Sequence, residues 1–286
     1  MSAKILDGKK LSEKILSELK EEVKKINKPL KLGVILVGDN EVSQKFIERK
    51  KKAGETIGVE VKIYKYESGI TTKKLREQVG KICRIPGIRG IIVQLPLPQH
   101  IRTQNVLDAI LPEKDVDVLG YKALGKFYAN KSRVAPPTAS GIVKLLLEYN
   151  ISIEGKVAAM VGYGRLVGKP TAHMLEEMGT TVIAINRDTK NKTELVKMAD
   201  IVVIGTGEPG SVTKDMIKKG AVVIDAGINI SDQETRDKRQ VKIVGDATED
   251  VKEVAGFITP VPGGVGPMTV AMLLYNLVEL AKNTTH

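Results

Sequence analysis

The sequence predicts an α/β protein of two domains, each built on a largely parallel sheet covered by helices. Three observations predict it. Short runs rich in Ile and Val alternate with stretches of helical period, the order that builds parallel sheets. The chain has 286 residues, more than one domain of ordinary size and fewer than three. Aromatic residues make up 3%, with no Trp, so the cores must be assembled from Ile, Val, Leu and Ala, which suits sheets buried on both faces.

Residues 1–28 read as a helix with apolar positions at Leu11, Ile15, Leu16, Leu19 and Val23. Residues 31–37 read as a strand that stops at Gly38-Asp39-Asn40. Helical period returns over 41–58. A strand follows at 59–66, a helix at 71–83, and a strand at 90–94 that is stopped by Leu95-Pro96-Leu97-Pro98. Residues 102–111 read as a helix, 112–120 as a loop and 121–137 as irregular chain. Pro136-Pro137 marks a boundary, and a helix at 140–150 bridges the halves. A second series then has strands at 156–161, 181–186, 201–205, 221–226, 242–244 and 256–260, with a clear helix at 169–178. A last helix, 267–282, follows a Pro/Gly loop.

Composition narrows the function. The net charge is +11, but along residues 9–28 the lysines are interleaved with glutamates, the pattern of a solvated helix face. Nucleic-acid binders concentrate charge and add stacking aromatics, so no nucleic acid is expected as a partner. A mild positive field would gather an anionic small substrate. No apolar run approaches the ~18 residues of a membrane span, and the charged N-terminus does not read as a signal peptide. The single cysteine, Cys83, reads as a small apolar filler, and no Cys/His cluster offers a metal site. A cytoplasmic protein is expected.

The first strand of the second series ends at Val161 and runs into Gly162, Gly164 and Gly168, with a helix starting at Lys169. Glycines there let the backbone turn tightly and approach a pyrophosphate, and the helix N-terminus offers free N–H groups. The spacing, G-x-G-x-x-x-G, is one residue longer than the usual dinucleotide fingerprint. The next strand ends at Asn186-Arg187-Asp188-Thr189. An acid at this point would hold the ribose hydroxyls of NAD, and a cation would hold the 2′-phosphate of NADP. Arg187 and Asp188 point to opposite answers. Arg165 in the glycine loop favours NADP, with NAD possible. The turns Gly205-Thr206-Gly207 and Gly227-Ile228-Asn229 fall where such a sheet places its ligand crevice.

Other segments carry chemistry. Phe46 and Lys50 are four apart and share a helix face. Gln94 stands at the C-terminal end of a strand, and Asp115-Val116-Asp117 lies in a loop. The segment from Pro260 to Thr269 is too specific for a generic linker, and its Pro and Gly residues suit a backbone lying close to a ligand.

Four segments together resemble the bifunctional methylenetetrahydrofolate dehydrogenase/methenyltetrahydrofolate cyclohydrolase family over nearly the whole chain: Val93–Pro98, Lys114–Asp117, Val167–Pro170 and Thr259–Thr269. The resemblance implies an N-terminal α/β catalytic domain, 1–137, completed by the C-terminal helix 268–286. It also implies a Rossmann-type doubly wound dinucleotide-binding domain, 138–267, with a cleft between the two for the folate. Lys50 then matches the catalytic lysine, Gln94 the glutamine that holds it, and Asp117 the acid that binds the pterin. Phe46, Val93, Leu95 and the loop Pro262, Gly263, Gly264, Val265 and Gly266 fall beside the folate. The cofactor candidates are Gly162, Tyr163, Gly164, Arg165, Val167, Gly168, Arg187, Thr206, Gly207, Ile228 and Thr269. The family is typically homodimeric through the cofactor domain.

The chain departs from the family's pattern in places. Phe46 replaces a Tyr, Val118 a Gly, and Tyr163-Gly164 an Arg-Ser; Arg187 replaces a Ser, and Pro136-Pro137-Thr138-Ala139 stands for Pro-Cys-Thr-Pro. Phe46 keeps a stacking surface but loses a hydroxyl, which motivates a dehydrogenase-only alternative. An amino-acid or shikimate-type dehydrogenase and a non-catalytic binder are the other readings. The Gln94–Pro98 and Pro260–Thr269 segments argue against the first of these, and the set Lys50, Gln94 and Asp117 against the second.

Overall fold

The computed structural model describes residues 3–26, 28–235 and 238–282. In chain order its first elements are β1 (Lys4–Ile5), α1 (Gly8–Lys25), β2 (Lys31–Val37), α2 (Glu41–Ile57), β3 (Glu60–Tyr66), α3 (Thr72–Cys83), β4 (Ile88–Val93), α4 (Thr103–Leu107) and α5 (Tyr121–Tyr128). They continue with α6 (Pro137–Glu148), β5 (Val157–Val161), α7 (Gly168–Glu176), β6 (Thr181–Ile185), α8 (Lys192–Lys197), β7 (Ile201–Ile204), β8 (Val222–Asp225), β9 (Asn229–Thr235), β10 (Lys238–Val244), β11 (Phe257–Ile258) and α9 (Val265–Lys282). The chain divides into two compact units, residues 13–137 with 270–286 and residues 1–12 with 138–269. Of the C-terminal segment, 283–286 fall outside the described residues.

The first unit is a three-stranded parallel sheet in the order β3-β2-β4. Strand β2 is central and buried along nearly its whole length, as its unbroken apolar run Leu32–Val37 requires. Helix α2 starts where Asn40 accepts the Ser43 N–H at 2.9 Å, and it stops at Gly58, which takes the left-handed conformation. Its buried face is Ser43, Ile47, Gly54 and Ile57. Gly54 is needed because a Cβ there would lie 2.6 Å from the Val61 side chain of β3. On one face of the sheet a core gathers Ile35 and Ile91 from the strands with Leu75, Val79, Val106 and Leu107 from α3 and α4. Cys83 is buried in it, and burial pushes its thiol up, as expected of a filler.

The second unit is a six-stranded, all-parallel sheet in the order β1-β11-β8-β7-β5-β6. Its core is almost wholly Val, Ile and Ala, from Ala159, Val202, Ile204 and Val223 at the centre to Val196 of α8 and Val251 of a short 3-10 helix at the flank.

Three features differ from the sequence expectation. Residues 1–28 are not one helix: Lys4–Ile5 pairs with Phe257–Ile258, and this carries residues 1–12 into the second unit. The helix starts at Gly8, behind Asp7, whose carboxylate accepts the Lys10 N–H at 2.9 Å. Residues 121–137 are not wholly irregular, since Ala123 and Phe127, one turn apart, bury a face of α5. Residues 242–244 do not join the parallel sheet. They belong to β10, which pairs antiparallel with β9 in a separate two-stranded ribbon. The ribbon's sequence, with Asp232, Glu234, Lys238 and Arg239, lacks the apolar run that a doubly covered sheet demands.

Candidate active site and nucleotide-binding site

In the first unit the sheet brings three candidates together. Gln94 follows β4 directly, and its N–H donates to the Ile35 carbonyl at 2.9 Å, extending the ladder by one residue. Asp115 makes a parallel bridge with Ile91, which sets the turn carrying Asp117 against β4. Lys50, in the third turn of α2, donates from Nζ to Gln94 Oε1 at 2.9 Å. Gln94 is 8% exposed, and its Nε2 donates to the Leu95 carbonyl at 2.8 Å, which fixes the amide with its oxygen toward the lysine. Burial pushes Lys50 below the ordinary lysine range, while the Asp117 carboxylate acts in the opposite sense. Burial likewise raises Asp117, with Lys50 pulling it down. A lysine in these surroundings gives up its proton more readily than one in water. Phe46 lies one turn before Lys50, with the Arg49 guanidinium 5.7 Å from its ring.

Sequence reasoning missed the residues that hold this arrangement. Asp115 is 1% exposed, and its Oδ2 accepts the N–H groups of Leu119 and Gly120 at 3.0 and 2.8 Å. That cap closes the turn in which Val118 adopts φ 54°, a conformation costly for a β-branched residue. The turn therefore keeps its shape without the family's glycine. Burial pushes Asp115 up to about 7 against those two hydrogen bonds. Asn276 of α9 donates to both the Val116 and the Ala135 carbonyls at 2.8 Å, fastening the same loop. A lone Asn amid the apolar run 270–278 was the one available sign of this.

The other predicted residues lie in the second unit. Pro262, Gly263, Gly264, Val265 and Gly266 lead into and open α9. They are backed by Gly8, where a Cβ would sit 2.0 Å from the Gly264 carbonyl oxygen, and by Lys9, whose N–H donates to the Gly263 carbonyl at 2.8 Å. Thr269 Oγ1 lies 3.1 Å from Thr138 Oγ1.

The glycine loop fits a dinucleotide. Gly162 has φ 93°, and a Cβ on it would lie 2.4 Å from the Gly205 carbonyl oxygen. A Cβ on Gly168 would lie 2.2 Å from the Gly162 oxygen, so strand, turn and helix close tightly. A Cβ on Gly164 would meet nothing within 4 Å, which leaves the crest of the loop open. Tyr163, Arg165 and Val167 complete the loop, with the Lys169 ammonium 6.0 Å from the Tyr163 ring. Next to it, Asp246 Oδ2 accepts from Thr206 N, Thr206 Oγ1 and Gly207 N at 2.6, 2.9 and 2.9 Å. Asp225 Oδ1 accepts from Gly227 N at 2.8 Å, and Ile228 beyond it is 46% exposed. These two buried carboxylates, unforeseen from the sequence, hold the strand-end turns. Among the described residues no group of His, Cys, Asp and Glu could hold a metal ion.

Comparison with known proteins agrees with this geometry. Residues 6–117 match the family described as tetrahydrofolate dehydrogenase/cyclohydrolase, catalytic domain, and residues 136–285 match its NAD(P)-binding domain. The chain belongs to the tetrahydrofolate dehydrogenase/cyclohydrolase family. A relative from Nautilia profundicola named bifunctional protein FolD is 42% identical over 98% of this chain and 97% of its own. One of the same name from Bacillus subtilis is 40% identical over 99% of each chain. The crystal structure of bifunctional FolD from Campylobacter jejuni superposes with a TM-score of 0.92 at 39% identity, covering 99% of each chain. That of the Trypanosoma brucei enzyme, complexed with NADP cofactor and inhibitor, gives 0.94 at 33% identity, covering 100% of this chain and 99% of that one.

Proposed function

We infer that this chain oxidises 5,10-methylenetetrahydrofolate to 5,10-methenyltetrahydrofolate with NADP, and hydrolyses the product to 10-formyltetrahydrofolate. The observation that carries the reading is the Lys50–Gln94 hydrogen bond beside Asp117 in a buried setting that favours neutral lysine. When bound, NADP supplies the acceptor for the hydride. Loss of hydride leaves an amidinium-like cation and requires no proton acceptor. Addition of water to that cation does, and Lys50, with its pKa lowered, takes the proton from the attacking water. Gln94 holds the Lys50 nitrogen in place, and Asp117 anchors the pterin. Phe46 supplies an aromatic face for the folate. Pro262, Gly263, Gly264, Val265 and Gly266 pack beside it. Gly162, Tyr163, Gly164, Arg165, Val167, Gly168, Arg187, Thr206, Gly207, Ile228 and Thr269 hold the nucleotide.

The dehydrogenase-only alternative rests on Phe46 alone. It is disfavoured because the lysine's hydrogen-bond partner is a glutamine fixed by its own backbone contact, so positioning does not need the missing hydroxyl. The working form is a cytoplasmic homodimer. In keeping with this, no helix among the described residues is long and apolar enough to cross a membrane. Sedimentation at micromolar protein tests the dimer.

The enzyme test mixes protein, methylenetetrahydrofolate and NADP and follows reduced nucleotide and the methenyl compound by absorbance. Nucleotide reduction without methenyl build-up is expected. Lys50→Ala is expected to let the methenyl compound accumulate. Wild type that reduces no nucleotide, or a Lys50→Ala protein with unchanged hydrolysis, overturns the reading.

A further inference from the structure

The end of β6 carries an ion pair whose carboxylate has no part in the reaction above. Arg187 Nη2 donates to Glu208 Oε1 at 2.7 Å. Both side chains are exposed, at 85% and 61%. In a doubly wound dinucleotide domain the residue at the end of the second strand meets the adenosine ribose: an acid accepts from the 2′-hydroxyl, a cation takes the 2′-phosphate. Here one of each is joined. Asp188 follows Arg187 directly, so the arginine has one carboxylate paired with it and a second next to it in sequence.

Glu208 is presented from a rigid mount. Asp246, with no exposed surface, accepts from the Thr206 and Gly207 N–H groups and from the Thr206 hydroxyl. The Thr206 oxygen in turn accepts the Glu208 N–H at 3.1 Å. Asn229 Nδ2 donates to the second Asp246 oxygen at 2.7 Å and ties the turn after β7 to the start of β9. The Glu208 backbone N–H is therefore tied, through Thr206, to the buried Asp246 carboxylate.

We propose that Glu208 is a specificity-determining residue for the nucleotide: by occupying one edge of the Arg187 guanidinium it weakens discrimination for the 2′-phosphate, and the chain accepts NAD as well as NADP. The inference rests on the nucleotide-dependent function given above. Arginine has five N–H donors, so Arg187 keeps some for a phosphate while paired. A phosphate arriving there meets a carboxylate alongside, and like charges oppose its binding. A ribose hydroxyl is itself a donor, and in Glu208 it finds an acceptor. Specificity is a difference of affinities, and the repulsive partner contributes as much as the attractive one.

Glu208→Gln tests this, since it preserves size and removes the charge at an exposed position. Titration calorimetry gives the dissociation constants of NADP and NAD for wild type and variant at one ionic strength. The expected result is measurable binding of both nucleotides by wild type. The preference for NADP should rise about 1.5- to 5-fold in the variant, the range an exposed charge controls, and the rise should shrink in 0.5 M salt. An unchanged or reduced preference overturns the proposal, because the carboxylate would then be idle or would serve to hold Arg187 for the phosphate. Protein that binds both nucleotides yet reduces neither overturns the proposed reaction and leaves this ratio readable. Wild type that binds only NADP overturns the inference while the reaction stands.

Discussion

Replacing Gln94 by Glu changes one charge at the atom that receives the Lys50 proton donor. The contact is 2.9 Å. Two opposite unit charges at that separation attract by about 1.4 kcal/mol in water and by about 6 kcal/mol at an effective dielectric of 20. Lys50 is half-buried, so roughly 1.5–3 kcal/mol is a fair working value, which raises its pKa by about 1–2 units. A lysine that takes a proton from water must be neutral, so hydrolysis rises with pH through the Lys50 pKa. The whole ascending limb then moves up by about 1–2 units in Gln94→Glu. At any pH on the ascending limb this is a loss of roughly 10- to 100-fold that alkali restores. The assay is loss of methenyl absorbance from pH 6 to 9.5, corrected for spontaneous hydrolysis. Hydride transfer, which needs no proton acceptor, should fall far less. Loss of the Gln94 amide's bond to Leu95 costs about 1 kcal/mol of stability and leaves the limb where it is. An unmoved limb, or an equal loss at every pH, would refute the assignment of Lys50 as the proton carrier.

Asp115 and Gly162 allow two further tests. Asp115 holds its proton up to about pH 7 in the fold, whereas a free carboxyl releases it near 4. Between those values the folded state binds more protons, so this group makes stability fall as pH rises from about 4 to 7 and level off above. Asp115→Asn should flatten that slope by about 2–4 kcal/mol, read from urea unfolding at pH 5 and pH 8; parallel slopes would show that Asp115 is ionised throughout. Gly162→Ala places a Cβ 2.4 Å from a backbone oxygen at φ 93° and should weaken nucleotide binding by more than about tenfold. Calorimetry and a thermal melt check this, and wild-type affinity would mean that the loop tolerates a side chain.

The sequence by itself determined what depends on local pattern. The Ile/Val runs set the parallel strands, and the Val161-to-Lys169 stretch set the strand–turn–helix. Gln94 and Asp117 sit in two of the distinctive short segments, and Lys50 could be named only through the family resemblance that those segments carry. The tertiary structure alone decided the rest. A two-residue strand such as Lys4–Ile5 has too few positions to show a period, and it exists only because Phe257–Ile258 offers a free edge. The antiparallel ribbon of β9 and β10 likewise follows from pairing between segments. Asp115, Asp225, Asp246 and Asn276 gave little sign of their roles, because a buried polar side chain is defined by the backbone groups it satisfies. Those groups come from residues up to 160 positions away. Lys50 itself became more than a helix lysine only when folding placed Gln94, 44 residues later, at 2.9 Å and took water from around both.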